Sequence, residues 1–235
     1  MPFAHKAGWV LDYSITGSAA LQYENPKFGT ACLQLQLVNE QPPPASITYP
    51  VPQTNLNDFT FECWIKPLFQ SVNFQPVPVD LVPVITVGGL YFSLDTFQLT
   101  APSPSYNIYF HPFGDSNVIP GWSLIYRNQW SYIAMCRTGS AFRFYVNGEG
   151  SSQQRSNPSG PPNNSNVLNV TNVKVGGVGI GTDNFMTAQI DSVRVSNVAR
   201  YTDPVSCPVP TQAFSYDSQT IFLANYDASL APSVP

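Results

Sequence analysis

Twenty-three prolines among 235 residues, set among many β-branched side chains, leave little room for long helices. What lies between the prolines is a series of short apolar runs. The clearest is Phe59 to Pro67, in which Phe59, Phe61, Cys63 and Ile65 fall on one face and Thr60, Glu62, Trp64 and Lys66 on the other. That alternation is the period of a half-buried strand, and Pro67 closes it by withholding a ladder donor. Trp130 to Arg137 and Ala141 to Val146, joined by Thr138-Gly139-Ser140, read as a hairpin. Asn147-Gly148 follows at once, a pair that tolerates positive φ at both positions and so favours a tight reversal. Val173 to Gly177, Ala188 to Val195 and Thr220 to Tyr226 complete the strand-like set. Turn signals, not helical periods, separate these runs, which points to an all-β sandwich.

Four proline-bearing stretches, Gln41 to Gln53, Pro76 to Pro83, Ala101 to Gly121 and Arg155 to Asn166, read as long loops whose prolines keep them rigid. With no internal repeat or linker, one domain is expected over residues 1–227, followed by an extended tail, 228–235, with no part in the core. Apolar residues make up 43% of the chain and net charge is only −4, which excludes a disordered polyelectrolyte. Lys6, Lys27, Lys66 and Lys174 are scattered, so no basic stripe is available for nucleic acid or an anionic membrane. No apolar run approaches the roughly 20 residues of a membrane span. The first six residues lack an apolar signal region, so synthesis without export is the expectation, and the sequons at Asn163 and Asn169 carry little weight. Cys32, Cys63, Cys136 and Cys207 form no C-x-x-C motif and are expected to be reduced, structural thiols.

Little in the chain suggests catalysis. There is no Gly-x-Ser-x-Gly elbow and no His-Glu-x-x-His, and the two histidines are His5 and His111. The glycines between Gly176 and Gly181 lack the spacing and the lysine of a phosphate loop and read as strand and turn. Asp191, flanked by Ile190 and Val193, is expected to accept backbone N–H bonds from a neighbouring loop, because an unpaired buried carboxylate is costly. Trp64 and Trp130 are expected to be packing aromatics, and Gly148 the turn glycine. Tyr106, Tyr109, His111 and Trp122 have two readings: a platform for sugar, or contacts onto the sandwich or a partner subunit.

Four segments in order resemble laminin-G-like members of the concanavalin-A-like lectin/glucanase superfamily. They are Asn25 to Leu33, Phe59 to Pro67, Trp130 to Gly148 and Ile190 to Thr202. The Lys27-Phe28-Gly29 and Ala199-Arg200-Tyr201-Thr202 elements are similar to copies common in tailed bacteriophages. The resemblance implies a jelly-roll sandwich of two antiparallel sheets. The stretch from Asn73 to Gly121 is richer in proline than the family's short hairpins. The Glu-x-Asp-x-x-Glu motif of the glucanase relatives is absent, since Pro26, Pro42, Trp64 and Ser151 stand two positions after Glu24, Glu40, Glu62 and Glu149. No enzyme and no cofactor are therefore expected. Calcium, which related domains bind at a sheet rim, would fall at Asp183 beside Asn184, but the ligand supply there is thin. The implied role is a virion surface protein of a tailed phage, decorating head or tail through contacts with other virion proteins and further copies of itself. The alternative is an adhesin that recognises a host glycan.

Overall fold

A computed structural model describes residues 13–36, 45–68, 81–95, 105–111, 119–139, 141–150, 155–156, 167–177, 187–227 and 229–232. Two antiparallel sheets hold the chain. One has seven strands in the spatial order β1 (Ser14–Thr16), β4 (Ser46–Leu56), β14 (Leu168–Gly176), β6 (Leu81–Val87), β7 (Leu90–Asp95), β8 (Ser105–His111) and β9 (Ile119–Tyr126). The other runs β12 (Glu149–Gly150), β11 (Ala141–Val146), β10 (Ser131–Thr138), β5 (Phe59–Pro67), β15 (Ala188–Ser196), β3 (Cys32–Gln36) and β2 (Ser18–Gln22). Two short strands join this sheet off its main path: β13 (Arg155–Ser156) beside β11, and β16 (Thr220–Ala224) beside β15. Strands adjacent in the sheets are far apart in sequence, as in β5–β15 and β4–β14, which is the crossover pattern of a jelly roll. No helix occurs among the described residues.

Between the sheets lies a single large apolar cluster. Phe59, Phe61, Cys63 and Ile65 enter it from β5, and Ile47, Tyr49, Val173, Val175, Val87 and Phe92 face them from the opposite sheet. Phe59 and Phe61 stack at 4.5 Å between ring centroids, anchoring the cluster. Asn147 (φ 51°) and Gly148 (φ 87°) form the two-residue reversal that pairs Val146 with Glu149. A Cβ on Gly148 would lie 2.7 Å from Val209 Cγ2, so glycine is required there for space as well as for conformation.

The fourth proline-bearing stretch expected as a loop opens with the two-residue β13, and the other three contribute to longer strands. Residues 46–53 belong to β4, 105–111 form β8, and 119–121 open β9; residues 81–83 likewise begin β6. In each case the ladder breaks beside the proline. The β4–β14 register shifts between Val170 and Asn172, next to Pro50 and Pro52. The β6–β7 register shifts beyond Pro83, and β8–β9 between Asn107 and Tyr109, the latter opposite Pro120. Each bulge absorbs the missing N–H donor, and proline density thus marks bulged strands rather than loops.

The terminal segment also departs from expectation. Leu230 packs on the core, and its carbonyl accepts a 2.9 Å bond from Tyr49 Oη, so residues 229–232 are not a free tail. The second face of β5 differs as well. Thr60, Glu62 and Trp64 are buried, because residues 197–219 fold back over the outside of the nine-stranded sheet. Cys207 and Phe214 from that segment join Trp64, Tyr132, Ala134 and Tyr145 in a second apolar cluster.

Candidate functional site

Glu62 is the centre of the polar chemistry beneath this cover. It is fully buried, and its Oε1 lies 2.8 Å from Arg194 NH2 while its Oε2 accepts the hydroxyls of Tyr132 (2.5 Å) and Tyr201 (2.8 Å). Burial, reinforced by the Glu62 charge, pushes the Tyr132 hydroxyl well above the usual tyrosine range. Arg200 extends the network to Asp217 at 2.8 Å, and hydrogen bonds from its guanidinium hold the Asp217 carboxyl well below the usual carboxylate range. Tyr145 Oη donates to the Asp203 carbonyl at 2.5 Å. The Tyr201–Glu62 and Tyr145–Asp203 contacts join the covering segment to the sheet, so this network acts as a clamp.

Asp191 organises a second junction. Its Oδ2 accepts the backbone N–H groups of Lys27 and Phe28, each at 3.0 Å, and so ties the loop of residues 23–31 to β15. Burial raises its carboxyl to about 6, opposed by hydrogen bonds from the Phe28, Ser192 and Lys27 backbones. Ser192 (φ 48°) sits in a bulge where β15 carries an extra residue against β5 between Asp191 and Arg194. Asp227 holds the same loop from the other side, its Oδ1 accepting the Thr30 N–H at 3.0 Å. Lys27 then lies 3.8 Å above the Trp64 ring, and Phe28 meets that ring edge-on at 5.7 Å. Burial lowers the Lys27 ammonium from its ordinary range, against the pull of Asp191. Trp64 is buried, and half-buried Trp130 donates its indole N–H to the Asn25 carbonyl at 3.2 Å.

The four aromatic candidates fall on the seven-stranded sheet. Half-buried Tyr109 is the register partner of Ser93 on β7 and Pro120 on β9. Tyr106 stands opposite Ile125, His111 opposite Tyr91, and Trp122 within β9, but their side chains lie outside the described residues. Asp183 also lies outside them. Among the described residues no three His, Cys, Asp or Glu side chains converge to hold a metal ion. All four cysteines are free and buried.

Register adds what the sequence did not show. Thr48 on β4 pairs with Lys174 on β14, Lys174 with Thr86 on β6, Thr86 with Tyr91 on β7, and Tyr91 with His111 on β8. Thr48, Lys174 and Thr86 are half-buried between positions whose side chains fill the core, so they stand on the outer face. The Lys174 ammonium has no hydrogen bond or ion pair with any described residue. At the level of sequence these residues are isolated, and only long-range strand pairing brings them into a row.

A two-sheet antiparallel jelly-roll sandwich is an architecture found in lectin domains and in viral capsid domains alike. A model of the concanavalin A-like lectin/glucanases superfamily matches residues 44–206, and the chain belongs to that superfamily. No curated protein matches the sequence. Among solved structures, the enzymatically active domain of tailspike protein 2 from bacteriophage CBA120 is similar with TM-score 0.58 and 13% identity, over 93% of this chain and 33% of that one. A conserved carbohydrate esterase of the Shiga toxin-encoding bacteriophage phi24B is similar with TM-score 0.51 and 14% identity, over 78% and 88%. Domain 4 of an extracellular arabinanase from Geobacillus stearothermophilus, solved with arabinotriose, gives TM-score 0.50 and 16% identity, over 80% and 82%. At these identities the likeness is one of fold.

Proposed function

We propose that the domain is a non-enzymatic, carbohydrate-recognising component of a tailed-phage particle, displayed on the virion beside other virion proteins and further copies of itself. The observation that carries this reading is the Thr48–Lys174–Thr86 row, in which an ammonium without a hydrogen-bond or ion-pair partner among the described residues stands between two hydroxyls. It continues in register to Tyr91, which is buried, and beside it to half-buried Tyr109, whose ring is the partly accessible one. Hydroxyl, ammonium and aromatic groups on one rigid sheet are what a sugar needs: donors and acceptors for its hydroxyls, and a ring for its apolar face. The arabinotriose complex and the two phage proteins of like fold lend the reading its ligand class and its setting. Both fully buried carboxylates, Glu62 and Asp191, are already engaged by structural partners, which leaves them no role as an acid and nucleophile pair.

Docking on the particle is served by a different surface. Val205 is 73% exposed on a segment that also carries Pro204, Pro208 and Pro210. Its backbone is pinned by the Gly150 N–H to Val205 carbonyl bond (2.7 Å) and the Cys207 N–H to Gly148 carbonyl bond (2.9 Å). A rigid apolar projection loses little entropy on docking. The test is sedimentation of intact particles through a density gradient, followed by competition with the purified chain for host adsorption. The chain should band with particles in stoichiometric amount, and in excess should block adsorption. A chain that remains free of particles and leaves adsorption unchanged contradicts the proposal.

A further inference from the structure

The outer face of the nine-stranded sheet carries a second polar row, remote from the one just described. Gln189 on β15 pairs with Lys66 on β5 on one side and with Gln34 on β3 on the other. Trp130 precedes Ser131, the partner of Ile65, and so extends the row beyond Lys66. At ~4.8 Å per strand, the row from Trp130 to Gln34 crosses four strands over ~14 Å. The loop of residues 23–31, fixed by Asp191 and Asp227, bounds it along one side.

The amides along this row are wired together. Gln34 Oε1 accepts from Gln22 Nε2 at 3.0 Å and from Gln189 Nε2 at 3.4 Å, while Gln34 Nε2 donates to Gln36 Oε1 at 3.5 Å. One valence is left over. Gln189 is only 5% exposed, yet its Oε1 has no hydrogen-bond partner among the described residues. A buried carbonyl without a donor has lost its hydration uncompensated, so this floor suits a group that donates to it. Beside it the Lys66 ammonium has no hydrogen-bond or ion-pair partner among the described residues and rests 5.8 Å from the centre of the Trp130 ring. The Trp130 ring is itself held in place by its N–H bond to Asn25.

We infer that this row is a binding site for a neutral oligosaccharide. Trp130 supplies a fixed platform for the apolar face of a sugar ring. The amides offer both donors and acceptors, which suits hydroxyls that do both. A hydroxyl entering between Lys66 and Gln34, as the flexible lysine stem swings aside, gives Gln189 Oε1 its missing donor. Apart from the Lys66 ammonium the row is made of uncharged amides, with Lys27 offset by Asp191 behind it, which suits a ligand bonded through hydroxyls and not one held by several charges. The site is separate from the seven-stranded face, so the sandwich offers sugar chains two surfaces rather than one.

The test is an NMR titration of the full chain, following the Trp130 indole N–H resonance, assigned by its loss in Trp130→Phe. Maltotriose, xylotriose and arabinotriose serve as probes. At least one should shift that resonance saturably, and Gln34→Ala should weaken the fitted affinity about tenfold, the equivalent of one good hydrogen-bond network contact. Gln36→Ala, at an exposed position that tolerates substitution, should weaken it severalfold. Saturable shifts that leave the Trp130 indole unmoved overturn this site while sparing the other face. No shift with any probe, or unchanged affinity in both glutamine variants, also overturns it.

Discussion

Replacing Arg194 by methionine strands a fully buried carboxylate. Glu62 has no exposure to water, and Arg194 is the cation that meets it at 2.8 Å, both through Nε and through NH2. Arg200 Nε lies 3.9 Å from Glu62 Oε1, beyond hydrogen-bond distance, and donates to Ser196, while Arg200 NH2 is committed to Asp217. Arg194→Met keeps an apolar stem but removes the charge, together with the guanidinium that lies 4.2 Å over the Phe214 ring, leaving Glu62 with hydrogen bonds only from the hydroxyls of Tyr132 and Tyr201 among the described residues. Stranding a buried ion in this way costs about 3–5 kcal/mol. In a chain of this size, where each kcal/mol moves the midpoint by about 2–4 °C, that corresponds to a fall of about 6–20 °C. Pairing it with Glu62→Gln removes the stranded charge and should recover more than half of the loss, because an amide still bonds both tyrosines. Differential scanning calorimetry of the two single variants and the double variant reads this cycle. A single variant within about 2 °C of the parent, or a double variant as unstable as Arg194→Met, would refute the reasoning.

Three further outcomes are expected. Asp191 is raised from 3.8 to about 6, so its contribution is fully present below the unfolded value and is lost as pH rises through about 6; urea unfolding should show the parent gaining up to about 3 kcal/mol relative to Asp191→Asn between pH 7 and pH 4. Gly29→Ala, at φ +56° with its Cβ placed 1.6 Å from Asp227 Oδ1, should cost at least about 2 kcal/mol and release the Thr30–Asp227 contact, seen as faster amide exchange at Thr30. Burial pushes the Cys32 and Cys207 thiols up to about 12, so a thiol reagent at pH 8 should label none of the four cysteines until denaturant is added, and reductant should not shift the melting midpoint.

The strands with clean alternation were legible: β5 ends where Pro67 stands, and the Asn147-Gly148 reversal is where the positive-φ pair placed it. Proline misled at β4, β6, β8 and β9, because a sequence shows the missing donor but not the bulge that accommodates it. The burial of Glu62 was hidden for another reason. Its place on the polar face of an alternating strand reads as solvent-facing, and only the return of residues 197–219 over the sheet encloses it. The two polar rows are the least legible of all. Lys174 with Thr48 and Thr86, and Gln189 with Lys66 and Gln34, are assembled by register between strands more than 80 residues apart in several pairs. Local pattern carries no trace of such pairings.

Carbohydrate recognition by the seven-stranded face is the central claim, and a glycan array probed in parallel with the parent chain and with Lys174→Ala tests it most directly. The account predicts a defined set of glycans bound by the parent, with signal reduced about tenfold in the variant while its melting midpoint stays within about 2 °C. An array on which the parent binds nothing, or on which both proteins give the same profile at the same strength, contradicts it.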